Sequence, residues 1–322
     1  MLRPCALTVL TTFALTIFTS QAFAQKLYWS NGTSIQRANL DSSQPALVRG
    51  GFVDTPYIAA DPAANTLYYT YGSPTPMIFR SDLNGDHPQA LLTFDIHNYP
   101  RGLAVDHEDG KIYWPTSEGL SGGAGSIRRA NLDGSGMEDI VTGLNYPYGM
   151  AFDYQAKKMY WINQGSLKIQ RANLNGTNVE DVAALDNSSY AFSIAIDPIA
   201  QKLYWSDPGI QAIDRANLDG SDIEKYQPVR SHFADSTIAI DAASRSIYWS
   251  DFLNFNDKLL YRGNLDGDAN AVPIANDIAT GITFTPEPSS CMIASVMWGA
   301  LLLHRNRKTK QSSVAQTAHP AP

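Results

Sequence analysis

Residues 194–220 read IAIDPIAQKLYWSDPGIQAIDRANLDG, and three elements within this stretch recur along the chain. The first element, 194–197, is short and almost wholly apolar, as a strand buried on both faces should be. The second, 203–207, carries a Tyr-Trp pair among residues that favour strands. The third ends in Leu218-Asp219-Gly220, and Asp-Gly is a hairpin turn signal. The stretch therefore predicts consecutive antiparallel strands.

The same three elements occur throughout residues 26–285. The aromatic pair occurs six times, at intervals of 40 to 47 residues, and ends at Trp29, Tyr69, Trp114, Trp161, Trp205 and Trp249. The arginine of the third element recurs at Arg37, Arg80, Arg129, Arg171, Arg215 and Arg262. The apolar element ends in Asp61, Asp106, Asp153, Asp197 and Asp241. A weaker fourth strand follows, and a four-stranded sheet repeated at this period is typical of β-propeller blades.

The two ends of this region predict how the ring closes. The first repeat begins at Lys26 and lacks the apolar strand, whereas a spare strand of this type lies at 281–284. Strand 281–284 is therefore predicted to complete the blade begun by residues 26–48, which removes an open sheet edge. We predict an all-β fold, a six-bladed β-propeller over residues 25–285 with four antiparallel strands in each blade.

The repeats resemble the class B repeats of the low-density lipoprotein receptor, the YWTD repeats that build six-bladed propellers. Asp207 and Asp251 keep the aspartate of the fourth motif position. The departures from it, at which turn or inter-blade hydrogen bonds are expected to weaken, are Asn31, Tyr71, Thr116 and Asn163. The resemblance implies an extracellular binding module rather than an enzyme.

Residues 1–24 are typical of a secretory signal peptide. Arg3 precedes an apolar run, and Ala22-Phe23-Ala24 forms a small-residue cleavage motif. Cleavage is predicted between Ala24 and Gln25, and the alternative is an uncleaved anchor.

Residues 286–310 resemble the PEP-CTERM sorting signal of Gram-negative bacteria. The motif Pro286-Glu287-Pro288 precedes an apolar segment, 291–303, and a basic cluster. The resemblance implies processing by an exosortase-type enzyme after a transmembrane helix at 291–303 has transiently anchored the chain in the inner membrane. As a helix this segment would span about 20 Å, short of the bilayer core of about 30 Å. The alternative is an ordinary C-terminal anchor.

The placement of these segments predicts an exported protein, extracellular or on the outer surface of the cell, with a disordered tail at 311–322. The chain of 322 residues has a net charge of −7, but residues 25–288 hold 19 Lys+Arg against 31 Asp+Glu. This acidic region predicts no nucleic-acid partner. Cys5 and Cys291 both lie outside it, so it contains neither disulfide nor thiol chemistry. We expect a monomer.

No catalytic residue, metal ligand or cofactor is predicted. Asp82, Asn84 and Asp86 resemble the start of a calcium loop, but Thr93 stands where such a loop needs a bidentate Glu. The histidines lack the spacing of a metal site. The aspartates that end the apolar strands are expected to cap turns, and the repeated arginines are expected to be structural.

The unrepeated residues carry the functional prediction. Loops that precede the first strand of each blade should share one face with the loops between its second and third strands. On that face we expect a partner-binding surface formed by Pro56, Arg101, Tyr148, Phe192, Ser236 and Thr280, with Phe52, His97, Tyr99, Tyr146, Tyr190, His232, Phe233, Phe252 and Phe255 beside them. Aromatic residues around one Arg suit contact with a protein or a carbohydrate. The alternative for each aromatic is packing beneath its own loop.

The predicted function is thus a secreted or surface-displayed, non-catalytic binding propeller that engages an extracellular protein or polysaccharide. The alternatives are a propeller hydrolase or lactonase with a site in the channel, and a structural matrix component. A channel site would require several carboxylate, amide or imidazole side chains to converge there.

Overall fold

A computed structural model describes residues 25–53, 56–72, 74–96, 98–118, 124–229, 237–254, 257–266, 271–277 and 279–285. These residues belong to one compact unit, Gln25–Pro286. The predicted signal peptide and the sorting segment with its tail lie outside the described residues, and so do Ser236, His232 and Phe233. Among the described residues, no helix is long and apolar enough to cross a membrane; segment 291–303 is not one of them.

The strands form six antiparallel sheets, which are the six blades, and the prediction of a six-bladed propeller is confirmed. In blades 1 to 3 the strands are β1 (Lys26–Ser30), β2 (Ser34–Asn39), β3 (Ala46–Gly50), β4 (Ile58–Asp61), β5 (Thr66–Tyr71), β6 (Met77–Asp82), β7 (Gln89–Thr93), β8 (Asn98–Pro100), β9 (Ala104–Asp106), β10 (Lys111–Glu118), β11 (Ala124–Asn131) and β12 (Glu138–Asn145).

In blades 4 to 6 the strands are β13 (Pro147–Asp153), β14 (Lys158–Asn163), β15 (Lys168–Asn173), β16 (Glu180–Ala184), β17 (Ser193–Asp197), β18 (Lys202–Asp207), β19 (Ala212–Asn217), β20 (Glu224–Pro228), β21 (Ile238–Asp241), β22 (Ser246–Asn254), β23 (Asp257–Asn264) and β24 (Val272–Ala275), and β25 (Gly281–Thr285) returns to blade 1. A 3₁₀ turn, Gln164–Ser166, joins β14 to β15.

The ring closes as the sequence predicts. Strand β25 pairs antiparallel with β1, with Ile282 opposite Trp29 and Thr285 opposite Lys26. The Lys26 backbone N–H donates to Thr285 Oγ1 at 2.9 Å. The C-terminal strand therefore completes blade 1 and runs one residue beyond the predicted end.

Blade 3 departs from the four-strand pattern because its innermost strand is split into β8 and β9. Both pieces pair with β10, on either side of Pro115. Proline has no N–H to donate to a ladder, and the bond at this point runs from the Arg101 N–H to the Pro115 carbonyl at 2.9 Å. The two pieces together take the place of one innermost strand, so the interruption is local and its reason is visible in the sequence.

The hydrophobic core lies between neighbouring blades. The aromatic pairs are almost fully buried, and Tyr160 of blade 4 shares one cluster with Leu203 and Trp205 of blade 5. Each blade thus buries its apolar surface against the next one, as the repeats of a propeller must.

The repeated polar residues have structural roles, as predicted. Asp153 Oδ1 accepts from the backbone N–H groups of Gln155 and Ala156, both at 3.0 Å, and so caps its turn. The arginines of blades 1 to 4 reach across to the next blade: Arg171 Nη1 donates to the Leu218 carbonyl at 3.1 Å. The equivalent bonds join Arg37 to Leu83, Arg80 to Leu132 and Arg129 to Leu174.

Where asparagine replaces aspartate at the fourth motif position, the hydrogen bond that was expected to weaken is still present. Asp207 Oδ1 accepts from the Tyr190 N–H at 2.8 Å, and Asn163 Oδ1 accepts from the Asn145 N–H at 2.9 Å. Asn31 Oδ1 accepts from the Ser34 N–H at 2.9 Å. An amide carbonyl thus supplies the same kind of acceptor as the carboxylate it replaces.

Candidate binding site on the loop face

A cavity of about 130 Å³ lies where the six blades meet. Every blade contributes one apolar residue to its lining, from the innermost strand or, in blade 3, from the break between β8 and β9: Ile58, Leu103, Met150, Ile194, Ile238 and Ile282. Hydroxyl groups come from Tyr57, Ser193, Thr237 and Thr280. The lining contains no Asp, Glu, His or Asn. Nor does the described part of the chain hold a group of three or more His, Cys, Asp and Glu that could bind a metal ion.

Beside the cavity, six side chains from the innermost strands of blades 3 to 5 and the loops next to them form one continuous array, which we call the tyrosine–arginine strip. Its members are Tyr99, Arg101, Tyr146, Tyr148, Phe192 and Tyr190. The Arg101 guanidinium lies 5.8 Å from the ring centroids of Tyr99 and Tyr146 and 5.3 Å from that of Tyr148. These separations are typical of cation–π contacts.

The strip continues as edge-to-face aromatic contacts. The ring centroids of Tyr148 and Phe192 are 5.0 Å apart, and those of Phe192 and Tyr190 are 4.5 Å apart. Both pairs are nearly perpendicular, the arrangement that places a positive ring edge on a negative ring face. The strip is therefore preorganised.

Electrostatics at the strip centre on Arg101. Burial raises the pKa of the Tyr148 hydroxyl above its ordinary value of 10.0, and the positive charge of Arg101 opposes that rise. Within the described residues, the buried Nε atom of Arg101 has no hydrogen-bond partner. An unsatisfied buried donor is costly to keep, and the three surrounding tyrosine rings are the contacts that the structure gives this cation in return.

Two side-chain acceptors and one close glycine contact fix the segments that carry these side chains. Asp207 holds the N–H of Tyr190, and Asn163 holds the loop before Tyr146. Gly149 permits close packing, because a Cβ there would lie 2.2 Å from the Phe192 carbonyl oxygen. The strip ranges from buried Tyr148, 6% exposed, to Tyr190, 48% exposed. It thus presents aromatic surface on a rigid base.

The structure brings together six of the predicted surface residues, and these are the members of the strip. Packing beneath a loop, the alternative interpretation, describes Tyr148 and Phe52 best, because their side chains are buried. His97 and Phe255 lie outside the described residues.

Pro56 and Thr280 lie elsewhere, at the seam of the ring. Ser30 Oγ donates to the Pro56 carbonyl at 2.6 Å, and the Thr280 N–H donates to the Ser30 carbonyl at 2.8 Å. Pro56 therefore links blade 1 to blade 2, whereas Thr280 fastens the closing strand of blade 1 and also lines the cavity.

Sequence reasoning missed Tyr57, which lines the cavity. Tyr57 lies close enough to Tyr148 that a negative charge on its hydroxyl oxygen raises the pKa of Tyr148. The signal was present, because Tyr57 directly follows Pro56, one of the predicted mouth residues. The prediction set the ring of mouth residues one position too early in several blades.

Comparisons with known proteins agree with this architecture. No family model matches the chain. A 48-residue stretch, 14% of this chain, is 52% identical to low-density lipoprotein receptor-related protein 1 of Pyricularia oryzae, of which it covers only 15%. This partial match supports repeats of the YWTD type.

Solved structures share the fold at low sequence identity. A chain of a nidogen/laminin complex superposes with a TM-score of 0.69 at 21% identity, over 81% of this chain and 98% of that one. TolB from Acinetobacter baumannii gives 0.61 at 14% identity, over 76% of this chain and 62% of that one. A luciferin-regenerating enzyme gives 0.58 at 14% identity, over 77% and 89%. At these identities the likeness concerns the fold alone, and the fold occurs in binding proteins and in enzymes.

Proposed function

We propose that this propeller is a non-catalytic binding module that docks an extracellular protein on the tyrosine–arginine strip. The strip itself carries the proposal. Tyrosine and arginine are enriched among residues that dominate binding energy at interfaces, and here three tyrosine rings surround the Arg101 guanidinium on a preorganised platform. A rigid platform lowers the entropic cost of association.

The likeness to a chain of a nidogen/laminin complex supports a protein as the partner. The second candidate, a hydrolase or lactonase, has support from the likeness to a luciferin-regenerating enzyme. The central cavity favours the binding module, since its lining is mostly aliphatic and hydroxyl groups rather than the converging carboxylates that a hydrolytic site would use. A polysaccharide partner and a matrix component are further alternatives.

Export is part of the proposal. Cleavage after Ala24 would release a chain beginning at Gln25, and an exosortase-type enzyme would cut near Pro286-Glu287-Pro288 to leave the propeller outside the cell. Intact-mass spectrometry of the secreted protein tests both steps. A mature mass that still includes residues 289–322 would contradict the sorting signal.

A photo-crosslinker at position 190 tests the docking surface. In cells of the source organism, Tyr190→benzoylphenylalanine should yield an adduct with one extracellular protein, because Tyr190 is the exposed end of the strip. The control is Ile199→benzoylphenylalanine, at a residue that is 66% exposed and follows the turn of Asp197. Equal adducts at both positions, or none at 190, would argue against the strip as the interface.

A further inference from the structure

A second cavity, of about 170 Å³, opens at the end of blade 3. We call it the polar groove, and its side chains are Asn98, Thr116, Ser126, Arg128, Asp139 and Thr142. None of these residues belongs to the tyrosine–arginine strip. The cavity has room for several water molecules or one small polar ligand.

The groove results from a local extension of the blade. Strands β10, β11 and β12 each have eight residues, whereas the corresponding strands of blade 4, β14 to β16, have six, six and five. The ladder between β11 and β12 is irregular on both sides of Ile127. The other outer ladders have one register shift each, whereas this one has a second shift, between Gly125 and Ile127.

Two glycines shape the rim. At Gly125 a Cβ would lie 2.3 Å from Pro147 Cδ and 2.8 Å from the Thr116 carbonyl oxygen, so no larger residue fits. Gly143 has a φ of 74°, and a Cβ there would have no neighbouring atom within 4 Å, so this glycine leaves open space at the groove. The rim is thus closely packed at Gly125 and open at Gly143.

Besides the shape of the cavity, the Thr116 hydroxyl indicates a ligand. It is 3% exposed, it lines the groove, and its Oγ1 has no hydrogen-bond partner among the described residues. Buried hydroxyls in native proteins nearly always have a partner. A ligand in the groove would supply one.

The other polar groups of the groove combine hydrogen-bond donors with acceptors and a positive charge with a negative one. Ser126 Oγ and Arg128 Nε both donate to Asp139 Oδ1 at 2.7 Å. Among the hydrogen bonds between described residues, none engages the second carboxylate oxygen of Asp139 or the terminal guanidinium nitrogens of Arg128, so these groups can serve as acceptor and donors for a ligand. Burial raises the pKa of Asp139, but these two hydrogen bonds outweigh it and the net shift is downward, so the acceptor stays ionised.

We propose that the polar groove binds a neutral sugar residue, free or at the end of a glycan. Arg128 and Asp139 cancel each other's charge, so the groove favours neither an anion nor a cation. Sugar hydroxyls both donate and accept, which matches the mixture of amide, hydroxyl, guanidinium and carboxylate groups. This site is independent of the protein-docking strip.

Blade 4 has no such groove, and its residues at the positions of Arg128 and Asp139 bond differently. Gln170 and Asp181 occupy the register positions of Arg128 and Asp139. Gln170 Nε2 donates to Asp181 Oδ1 at 2.8 Å, and Lys168 Nζ donates to Asp181 Oδ2 at 2.6 Å. Both carboxylate oxygens are occupied there, so Asp181 provides a matched control.

Saturation-transfer difference NMR of the full-length chain tests the site with D-glucose, D-galactose, D-mannose and N-acetyl-D-glucosamine as probes. At least one sugar should receive saturation from the protein. Thr116→Val should weaken its affinity about fivefold or more, because the variant keeps the shape and removes one hydrogen bond. Asp139→Asn should weaken it further, and Asp181→Asn should leave it unchanged.

Thermal unfolding of each variant separates lost binding from lost folding, and Thr116→Val is expected to unfold at the wild-type temperature or above, because it removes an unsatisfied hydroxyl. The proposal is overturned by absence of saturation transfer to all four sugars. It is equally overturned if folded Thr116→Val and Asp139→Asn bind the sugar as the wild type does.

Discussion

Two carboxylates buried side by side in blade 5 should make the stability of this propeller depend on pH. Asp207 is fully buried and Asp214 is 6% exposed. Within the described residues, Asp207 Oδ2 has no hydrogen-bond partner. Burial, followed by the negative charge of Asp207, raises the pKa of Asp214 to about 6 against the opposing effect of Lys225. The corresponding pair in blade 4 is neutral, and Asn163 Nδ2 donates to Gln170 Oε1 at 3.0 Å.

The free energy involved follows from the pKa values. The pKa of Asp214 rises from an ordinary 3.8 to about 6 on folding, and each pKa unit corresponds to about 1.36 kcal/mol. Because the folded pKa is the higher one, the folded state binds more protons between these values. The contribution of Asp214 to stability is therefore complete below about pH 4 and falls by about 3 kcal/mol as pH rises above 6.

Asp214→Asn should remove this loss, because an amide cannot ionise and can donate to Asp207 as Asn163 does to Gln170. Urea unfolding at pH 4 to 8 should show the variant more stable than wild type by up to about 3 kcal/mol at pH 7.5. The advantage should shrink towards pH 4. Asp181→Asn, at an exposed carboxylate, should show no such trend. A variant advantage that does not change with pH would refute the reasoning.

Three further changes test the packing between blades, each followed by urea unfolding at pH 7. Trp161→Ala removes a side chain that is 0% exposed and should cost about 3–5 kcal/mol; a loss below about 1 kcal/mol would contradict the core assignment. Gly149→Ala places a Cβ 2.2 Å from the Phe192 carbonyl oxygen and should cost about 1–3 kcal/mol, whereas wild-type stability would show that the two loops are not in contact. Arg171→Ala breaks the bond to the Leu218 carbonyl and should cost about 1–3 kcal/mol, and an unchanged midpoint would show that this bond between blades is dispensable.

The sequence predicts the parts of the fold that repeat. Six copies of one pattern determine the strands, the turn-capping aspartates and the blade count, and the spare strand at 281–284 predicts the ring closure. The split of the innermost strand in blade 3 could have been predicted from Pro115, which lacks a backbone N–H, but the comparison of repeats considered only the residues that the blades share. A period describes what the blades share and says little about where one of them departs.

The candidate site was predictable only in part. Loop positions identified Arg101 and the aromatics around it, because the order of strands places those loops on one face. The contacts among them were not predictable, since residues far apart in sequence meet only once the ring has closed. The polar groove was missed altogether, because it depends on an irregular ladder and an unsatisfied Thr116 hydroxyl that no sequence pattern marks.

The central claim is that the tyrosine–arginine strip is the docking surface. It is tested most directly by the affinity of the Arg101→Ala variant for the protein that the crosslinker at position 190 captures. Arg101 contacts three tyrosine rings and so holds the strip together at its centre. Isothermal titration calorimetry should show binding weakened about thirtyfold or more, since truncation of an interface hot spot costs about 2 kcal/mol or more. Ile199→Ala should bind as the wild type does. Equal affinities for wild type and a folded Arg101→Ala would contradict the assignment of the strip as the docking surface.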